Sequence, residues 1–362
     1  MNILIEIGHP AHVHKLSATI KALKENNHKV FVVTKEIPSI LFLLNKLNIP
    51  FKVIGIKKDS LLGKGIMQLW YNLRCFFILK QEKIDLMIGC VSASYMTRIT
   101  NIPSLLFDDD DDEVEPLLVK YVHPYITTIL SPSALKGNRL RKDTIYYSGY
   151  HELAYLYPIR FTPDVSVLDE IGVKEGDPYF ILRFNVFKAH HDIGVHGLSI
   201  ENKRILINYL EKRGKVFITT ERNIDEEFKK YKLYLSPEKV HSLIYYATML
   251  IGDSQTMTSE AAVLGTPSIR SNSFVGKIAY LEEEEHKYGL TYGFLPENFN
   301  SLQRKIEELL SVSNLKEIWQ QRRRIMLNDK IDVTAFYVWF IENYPNSTKI
   351  MKEDPDYQYK FK

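Results

Sequence analysis

The sequence predicts an α/β protein with two doubly wound domains, each built on a parallel sheet. Short apolar runs alternate with helical patterns along the chain, which is typical of parallel strands that helices cover on both faces. Prolines and glycines cluster at residues 157–178, and the alternation then starts again. The chain has 362 residues, which is more than a single hydrophobic core usually organises, so its length also favours two domains.

The first half of the chain contains a series of predicted strands, each a short run rich in apolar residues. The first strand leads into a loop with three histidines and then into a helix through Leu16, Ile20 and Leu23. Further helices are predicted where apolar residues recur at helical spacing. The strands are at 3–7, 30–34, 51–55, 84–88, 104–107, 126–130 and 144–147, and the later helices are at 37–47 and 66–79.

The second half repeats this alternation after the stretch 157–178, which we expect to act as a hinge. Strands are predicted at 179–184, 215–219 and 249–251 and directly after Pro267, and helices at 201–213 and 237–247, twice across 299–328, and at 333–342. The predicted domains are therefore 1–160 and 161–332, followed by a last helix and tail at 333–362.

The composition is that of a folded soluble protein, with 45% apolar and 25% charged residues. The net charge of +3 gives no reason to expect nucleic-acid binding. Cys75 and Cys90 have no partners at metal-ligand spacing, so neither a disulfide framework nor a zinc site is expected. Met1 runs into a strand without a signal peptide, and no apolar stretch reaches the roughly 20 residues that span a bilayer. A cytoplasmic protein is expected.

The segment 249–270 is the most informative part of the chain, with the pattern strand, tight loop, helix, strand. Backbone N–H groups and the helix dipole at the start of a helix attract anions, and hydroxyls add donors to a phosphate. Glu260, about one turn into the helix, is placed to accept hydrogen bonds from a ribose. The alternative is an ordinary α/β turn whose serine and threonines act only as N-caps. The candidate phosphate-binding residues are Gly252, Asp253, Ser254, Gln255, Thr256 and Thr258.

Four motifs of the chain resemble a family of archaeal and bacterial predicted glycosyltransferases that was long catalogued as a domain of unknown function. The motifs lie at 8–14, 147–156, 252–270 and 332–336, and the resemblance runs along essentially the whole chain. It implies the GT-B fold, in which two Rossmann-like domains face each other across a cleft. It also implies that the last helix crosses back onto the first domain.

The spacing from Asp253 to Pro267 is also similar to the nucleotide-sugar site of non-hydrolysing UDP-N-acetylglucosamine 2-epimerases. That similarity implies that Ser254 and the Gln255 amide hold phosphate and that Glu260 holds the ribose. The sequence departs from the epimerases in two places. His9-Pro10-Ala11 stands where they carry Arg-Pro-Glu, and Arg183-Phe184-Asn185 stands where they carry a His-Arg-Arg-Glu stretch. These departures remove residues of the epimerase chemistry and favour a transferase.

Other residues of the second domain follow strands at the predicted ligand-binding edge of the sheet. Arg183 and Lys188 are candidates to face the diphosphate, with a solvated loop charge as the alternative for Lys188. Thr220 and Glu221 follow the strand 215–219. The GT-B resemblance implies that the segment of His241 flanks the nucleotide base, and an ordinary helix start capped by Ser236 is the alternative. His190, His191, Asp192 and His196 match no strong metal-ligand spacing, so no metal site is expected.

The loop after the first strand supplies the candidate general base, because histidine takes a proton near neutral pH. His9 and His14 are both candidates, and His12 lies between them. His14 is expected to begin the first helix, where the dipole lowers its pKa and keeps the imidazole neutral. Surface or capping histidines are the alternative for each.

An acidic run, Asp108 to Asp112, follows the strand 104–107. Asp108 is placed like a catalytic or acceptor-binding carboxylate, and Asp109 is a second candidate. Asp110–Asp112 are expected to be solvated, as charge runs usually are. Mg²⁺ favours carboxylate ligands, but a catalytic magnesium centre is not expected.

The resemblance implies a metal-independent, hexosyltransferase-like glycosyltransferase that uses no cofactor beyond its co-substrate. The expected donor is a UDP-linked nucleotide-sugar, and the expected acceptor is a carbohydrate or lipid-linked hydroxyl in surface polysaccharide or glycoconjugate biosynthesis. Two alternatives stay open. One is a nucleotide-sugar 2-epimerase or hydrolase on the same scaffold, and the other is a non-catalytic polysaccharide-assembly protein.

Residues 64–80 are aromatic, apolar and basic and contain no acidic residue. This pattern is expected of a helix that lies on a membrane surface, in peripheral contact with lipid. It is equally compatible with a helix half buried against the sheet, which is the commoner arrangement.

Overall fold

The computed structural model describes residues 1–56, 61–184, 197–220 and 224–362. The chain forms two compact units, one made of Met1–Tyr155 with Ile331–Lys362 and the other of Leu156–Lys330. Each unit contains one parallel sheet covered by helices, which confirms the predicted α/β class.

The sheet of the first unit has seven parallel strands in the order β3-β2-β1-β4-β5-β6-β7. The order reverses beside β1, and such a switch point leaves a crevice at the carboxyl ends of β1 and β4. The apolar side chains of β1 are buried on both faces because neighbouring strands and helices enclose it. The strands are β1 (Asn2–Ile7), β2 (Lys29–Glu36), β3 (Phe51–Ile56), β4 (Leu86–Ile88), β5 (Ser104–Phe107), β6 (Thr128–Pro132) and β7 (Ile145–Tyr147).

The helices that follow these strands are α1 (Pro10–Glu25), α2 (Pro38–Lys46), α3 (Leu61–Gln81), α4 (Val91–Thr100), α5 (Pro116–Tyr121) and α6 (Leu153–Leu156). Helices α3, α4 and α5 contribute to one hydrophobic cluster over the sheet, with Tyr71, Met96 and Leu118 among its members. The three helices therefore form a single outer layer.

The sheet of the second unit has five parallel strands in the order β12-β11-β10-β8-β9. Its switch point lies between β8 and β10, and Met249, Leu250 and Ile251 of β10 are fully buried. The strands are β8 (Tyr179–Arg183), β9 (Lys215–Thr219), β10 (Met249–Gly252), β11 (Ser268–Ser271) and β12 (Thr291–Phe294). The helices are α7 (Val167–Glu170), α8 (Ile200–Leu210), α9 (Val240–Tyr246), α10 (Gln255–Leu264), α11 (Ala279–His286), α12 (Phe299–Leu310) and α13 (Leu315–Asp329).

The chain then returns to the first unit through α14 (Val333–Glu342) and α15 (Asn346–Glu353). Asp332 caps α14 by accepting a hydrogen bond from the Ala335 N–H at 3.0 Å. The ring of Tyr337 stacks on Phe107 at a centroid distance of 4.0 Å, and its hydroxyl donates to Tyr147 at 2.8 Å. The crossing of the last helix onto the first domain is thus confirmed, and the sheet is the partner surface that its aromatics require.

Helix α3 has a buried and an exposed face. Tyr71, Cys75 and Leu79 pack into the core, whereas other large apolar side chains point outward. Among the described residues, no helix is long and apolar enough to cross a membrane.

Several elements differ from the sequence prediction. Helix α4 was not predicted, because its serines and threonines leave too weak an apolar period. The stretch 157–178 lies within the second unit, where Val167 and Leu168 of α7 are buried, and its role as a hinge stays a prediction. Helix α1 begins at Pro10, so the prediction that His14 begins it is wrong. Proline fits the first helical position because its missing N–H would have no partner there.

Candidate functional site

Gly252 brings two central strands of the second unit unusually close at their carboxyl ends. A Cβ on this residue would lie 2.1 Å from the Arg183 carbonyl oxygen, so no larger residue fits without movement. The next residue, Asp253, donates its N–H to the same carbonyl at 3.0 Å. The chain therefore leaves β10 directly beside the end of β8, at the switch point of the sheet.

Ser254 starts helix α10 by capping it. Its hydroxyl accepts from the Met257 N–H at 3.3 Å, and the Thr258 hydroxyl donates back to the Ser254 carbonyl at 2.7 Å. The hydroxyls of Ser254 and Thr258 thus serve the helix, as the N-cap alternative predicts. The first N–H groups of a helix have no partner within it. The backbone N–H groups of Gln255 and Thr256, the first two residues of α10, therefore lie at the positive end of the helix dipole.

Glu260 forms a buried pair with His241 of helix α9. The His241 Nε2 atom lies 2.9 Å from Glu260 Oε1, and the two residues are only 5% and 6% exposed. The ring of Phe161 meets His241 edge-to-face at 6.2 Å. The structure therefore brings together two residues that the sequence analysis singled out separately, and the pairing orients the carboxylate.

Arg183 and Thr219 meet where β8 and β9 end. Arg183 Nη1 donates to the Thr219 hydroxyl at 3.0 Å, and both residues are partly buried. Thr220 follows directly and is also partly buried. Glu221 lies outside the described residues, as do Lys188, His190, His191, Asp192 and His196.

Asn272 is a site residue that the sequence analysis missed. Its side-chain amide donates to the Asp253 carbonyl at 2.9 Å, and its own oxygen accepts from the Phe274 N–H at 2.9 Å. The adjacent Ser271 hydroxyl is buried without a hydrogen-bond partner among the described residues. Their position in the sequence could have indicated them as site residues, because both lie at the end of β11, on the same sheet edge as Gly252.

The histidines of the first unit lie around the start of α1. His9 caps this helix by accepting from the Ala11 N–H at 3.2 Å, whereas the partly buried His14 lies beside Tyr155 at a ring distance of 5.5 Å. Burial and then the positive charge of Lys15 lower the pKa of His12 to about 3. His12 is therefore neutral and a weak base at physiological pH.

Asp108 is buried, and its carboxylate contacts two basic side chains. Its Oδ2 atom lies 2.9 Å from His123 Nε2 and 3.0 Å from Arg139 Nη1. Arg139 also contacts Asp112 at 2.6 Å. The prediction that the run up to Asp112 is solvated is wrong for Asp111 and Asp112, which are 5% and 7% exposed. Arg139, from a distant part of the chain, compensates the burial of this charge.

Asp109 belongs to a second buried chain of charges. Its Oδ1 accepts from Lys15 Nζ at 2.9 Å, and its Oδ2 lies 2.7 Å from His151 Nδ1. His151 Nε2 in turn lies 3.1 Å from Glu152, which has no exposed surface. These residues gather where β5 and β7 end and where α1 begins. The motif 147–156 contained His151 and Glu152, but the sequence did not indicate their partners.

The charges of these neighbouring side chains determine which of them are protonated. Burial disfavours the charged imidazole, but Asp109 and Glu152 outweigh it and raise the pKa of His151 to about 9. Burial likewise opposes ionisation of Asp109, yet His151 and Lys15 hold its pKa well below the usual range. Burial and the neighbouring Asp109 charge raise the pKa of Asp110 to about 8. Asp109 and His151 are thus ionised at neutral pH. Among the described residues, no three His, Cys, Asp or Glu side chains are placed to hold a metal ion.

The chain belongs to a known protein family. Residues 1–291 match the family model described as Protein of unknown function (DUF354). The chain is also similar to the uncharacterized protein MJ0665 of Methanocaldococcus jannaschii, with 22% identity over 313 residues, or 79% of this chain and 86% of that protein. The family resemblance inferred from the motifs is confirmed.

Solved structures show the same fold across nearly the whole chain. The S. aureus MnaA–UDP co-structure has a TM-score of 0.67 at 15% identity, covering 96% of this chain and 97% of that chain. The Streptomyces sp. SF2575 glycosyltransferase SsfS6 complexed with thymidine diphosphate has a TM-score of 0.60 at 13% identity, covering 95% and 99%. A UDP-N-acetylglucosamine 2-epimerase has a TM-score of 0.59 at 14% identity, covering 90% and 94%. The predicted GT-B type of fold is confirmed.

Proposed function

We propose that this chain, a member of the DUF354 family, is a glycosyltransferase that moves a sugar from a nucleotide-sugar donor to an acceptor hydroxyl. The observation that carries the proposal is the buried pair of Glu260, on helix α10 that starts beside Gly252, and His241 of helix α9. This arrangement offers an oriented carboxylate and a positive helix end within one unit. A nucleoside diphosphate needs a partner of each kind, one for its ribose and one for its phosphates.

In this proposal the second unit binds the donor. The N–H groups of Gln255 and Thr256, at the positive end of α10, face the diphosphate, and the Arg183 guanidinium adds a cation. Glu260 accepts the ribose hydroxyls, and His241, beside it, flanks the base. Thr220 and Glu221 are proposed as further donor contacts. A UDP-linked donor is favoured by the fold shared with MnaA, which was solved with UDP.

Glycosyl transfer also requires stabilisation of the leaving diphosphate and removal of the acceptor proton. Helix dipole and guanidinium meet the first need, so the proposed reaction is metal-independent. His9 or His14 of the first unit is proposed as the base. Asp108 is the weaker candidate, because its buried carboxylate already contacts His123 and Arg139. His12 is not proposed, because a pKa of about 3 makes it a poor proton acceptor.

The acceptor is proposed to be a carbohydrate or lipid-linked saccharide in surface polysaccharide or glycoconjugate biosynthesis. The function is tested by incubating the chain with UDP-, GDP-, dTDP- and CMP-sugars, with and without saccharide acceptors. A transferase releases nucleotide and forms a glycosylated product only when an acceptor is present. An epimerised or hydrolysed sugar without acceptor supports the enzyme alternative. An unchanged donor together with no nucleotide binding supports a non-catalytic assembly protein.

A further inference from the structure

We propose that the outer face of α3, α4 and α5 docks the protein on a membrane surface that contains anionic lipids. This docking face goes beyond the proposed reaction and does not depend on it. It consists of exposed apolar side chains on three neighbouring helices of the first unit, with basic side chains among them.

The centre of the docking face is a stripe along α3. Ile66, Leu69 and Phe77 are 67%, 72% and 61% exposed, and Trp70 and Leu73 between them are also exposed. Spacings of three and four residues place these side chains on one side of the helix. The opposite side, with Tyr71, Cys75 and Leu79, packs into the core. The helix is therefore apolar on both sides, and its outer side has no partner within the described residues.

The neighbouring helices extend the apolar stripe. Ile99 of α4 and Leu117 of α5 are as exposed as the stripe residues, and Tyr121 is half exposed. Because α3, α4 and α5 share one hydrophobic cluster beneath them, these side chains belong to the same outer layer. An exposed apolar surface spread over three helices is uncommon on a soluble monomer and marks an interaction site.

Charge identifies the partner as an anionic surface. Helices α3, α4 and α5 contain no aspartate or glutamate, although the whole chain has 44 acidic residues. Their exposed basic residues include Arg74, Lys80, Arg98 and Lys120. The Arg74 guanidinium lies over the Trp70 ring, 5.0 Å from its centroid, so a cation and an aromatic ring occupy the same part of the docking face. Interfacial helices combine apolar and aromatic insertion with basic residues that attract anionic headgroups.

A second copy of the chain would be a poorer partner. Two identical docking faces brought together would oppose basic residues with basic residues, and no acidic residue of these helices would compensate them. An anionic bilayer satisfies both components of the face, because it accepts apolar side chains and neutralises the cations.

Vesicle flotation of the full chain tests this proposal. Binding is expected to vesicles of equal parts phosphatidylcholine and phosphatidylglycerol, to weaken as salt is raised, and to be weak with phosphatidylcholine alone. The double variant Leu69→Ser/Phe77→Ser should bind roughly tenfold less, because it removes inserted apolar surface. Leu140→Ser is the matched control, since Leu140 is 71% exposed and lies outside the docking face.

Tryptophan fluorescence is a second, independent measurement of membrane insertion. Trp70 is one of three tryptophans, and its insertion should shift the emission to shorter wavelength on vesicle addition; Trp70→Phe should abolish the shift. Absence of flotation with anionic vesicles, or equal flotation of the double variant and the wild type, would overturn the proposal. So would a dimer, seen by sedimentation, that the double variant dissociates, since that would assign the face to a second copy.

Discussion

The Nε2 atom of His241 lies 2.9 Å from Oε1 of Glu260, and neither side chain is appreciably exposed. A buried carboxylate is stable only when it is hydrogen-bonded, so His241 holds Glu260 in one orientation. A ribose-binding carboxylate benefits from this, because an oriented acceptor loses little freedom when its ligand binds. Two predictions follow from the pair, one for stability and one for binding.

Replacing His241 should destabilise the second unit. The variant His241→Leu removes the donor that faces the buried Glu260 carboxylate, which should lower the free energy of unfolding by about 1–3 kcal/mol. Urea denaturation measures the change. In the double variant with Glu260→Gln the two losses should not add, because both remove the same contact. Additive losses would show that the pair does not couple.

Gly252→Ala should be among the more damaging small changes in the chain. The added Cβ would lie 2.1 Å from the Arg183 carbonyl, so β8 and β10 must separate. A loss of about 1–3 kcal/mol in unfolding free energy is expected from such overpacking. Gly8→Ala is the control, because a Cβ there meets nothing within 4 Å. Equal stability of the two variants would contradict the close approach of the strands.

The base assignment predicts a loss of turnover without a loss of donor binding. A positioned base contributes roughly 10²–10⁴-fold, so His9→Ala or His14→Ala should lower turnover by that order. Because His9 caps α1, His9→Asn is the sharper variant. Asparagine keeps a side-chain acceptor for the helix start but cannot take the proton. Full activity of the variant lacking both histidines would leave Asp108 as the better candidate.

The raised pKa of His151 predicts that the protein loses stability at alkaline pH. Its pKa is raised from 6.5 to about 9 because Asp109 and Glu152 outweigh the cost of burial. The stabilisation is therefore complete below pH 6.5 and is lost as the pH rises through about 9. Denaturation at several pH values should show this decline, and His151→Gln should flatten it. The exposed His286 supplies the control, since His286→Gln should leave the decline unchanged.

Much of the fold follows from apolar patterning. The sequence predicts the strands Ser104–Phe107 and Lys215–Thr219 and the helix Val333–Glu342 with the bounds that the structure has. In these segments the apolar run and its flanking turn residues agree. Helix α4 escapes prediction because small polar residues dominate it, whereas the few apolar residues that pack beside α3 are too sparse to give a clear period.

The candidate site was less predictable because its contacts join distant residues. The positions of Glu260 and His241 were each evident from the elements they lie on, but their pairing depends on how α9 packs against α10. The burial of Asp112 could not be anticipated, since it relies on Arg139, 27 residues further on. An acidic run looks solvated until its distant cation is known.

The most direct test of the account is calorimetric titration of UDP into the full chain and into Glu260→Ala. Loss of a charged hydrogen bond to the ribose should weaken binding by about 1.5–3 kcal/mol, roughly 10- to 150-fold. Glu284→Ala is the matched control, because Glu284 is also buried and accepts at 2.6 Å from Ser259, the neighbour of Glu260 on α10. Normal affinity is expected for this control and weak affinity for Glu260→Ala. Unchanged affinity in a folded Glu260→Ala variant, or an equal loss in the control, would contradict it.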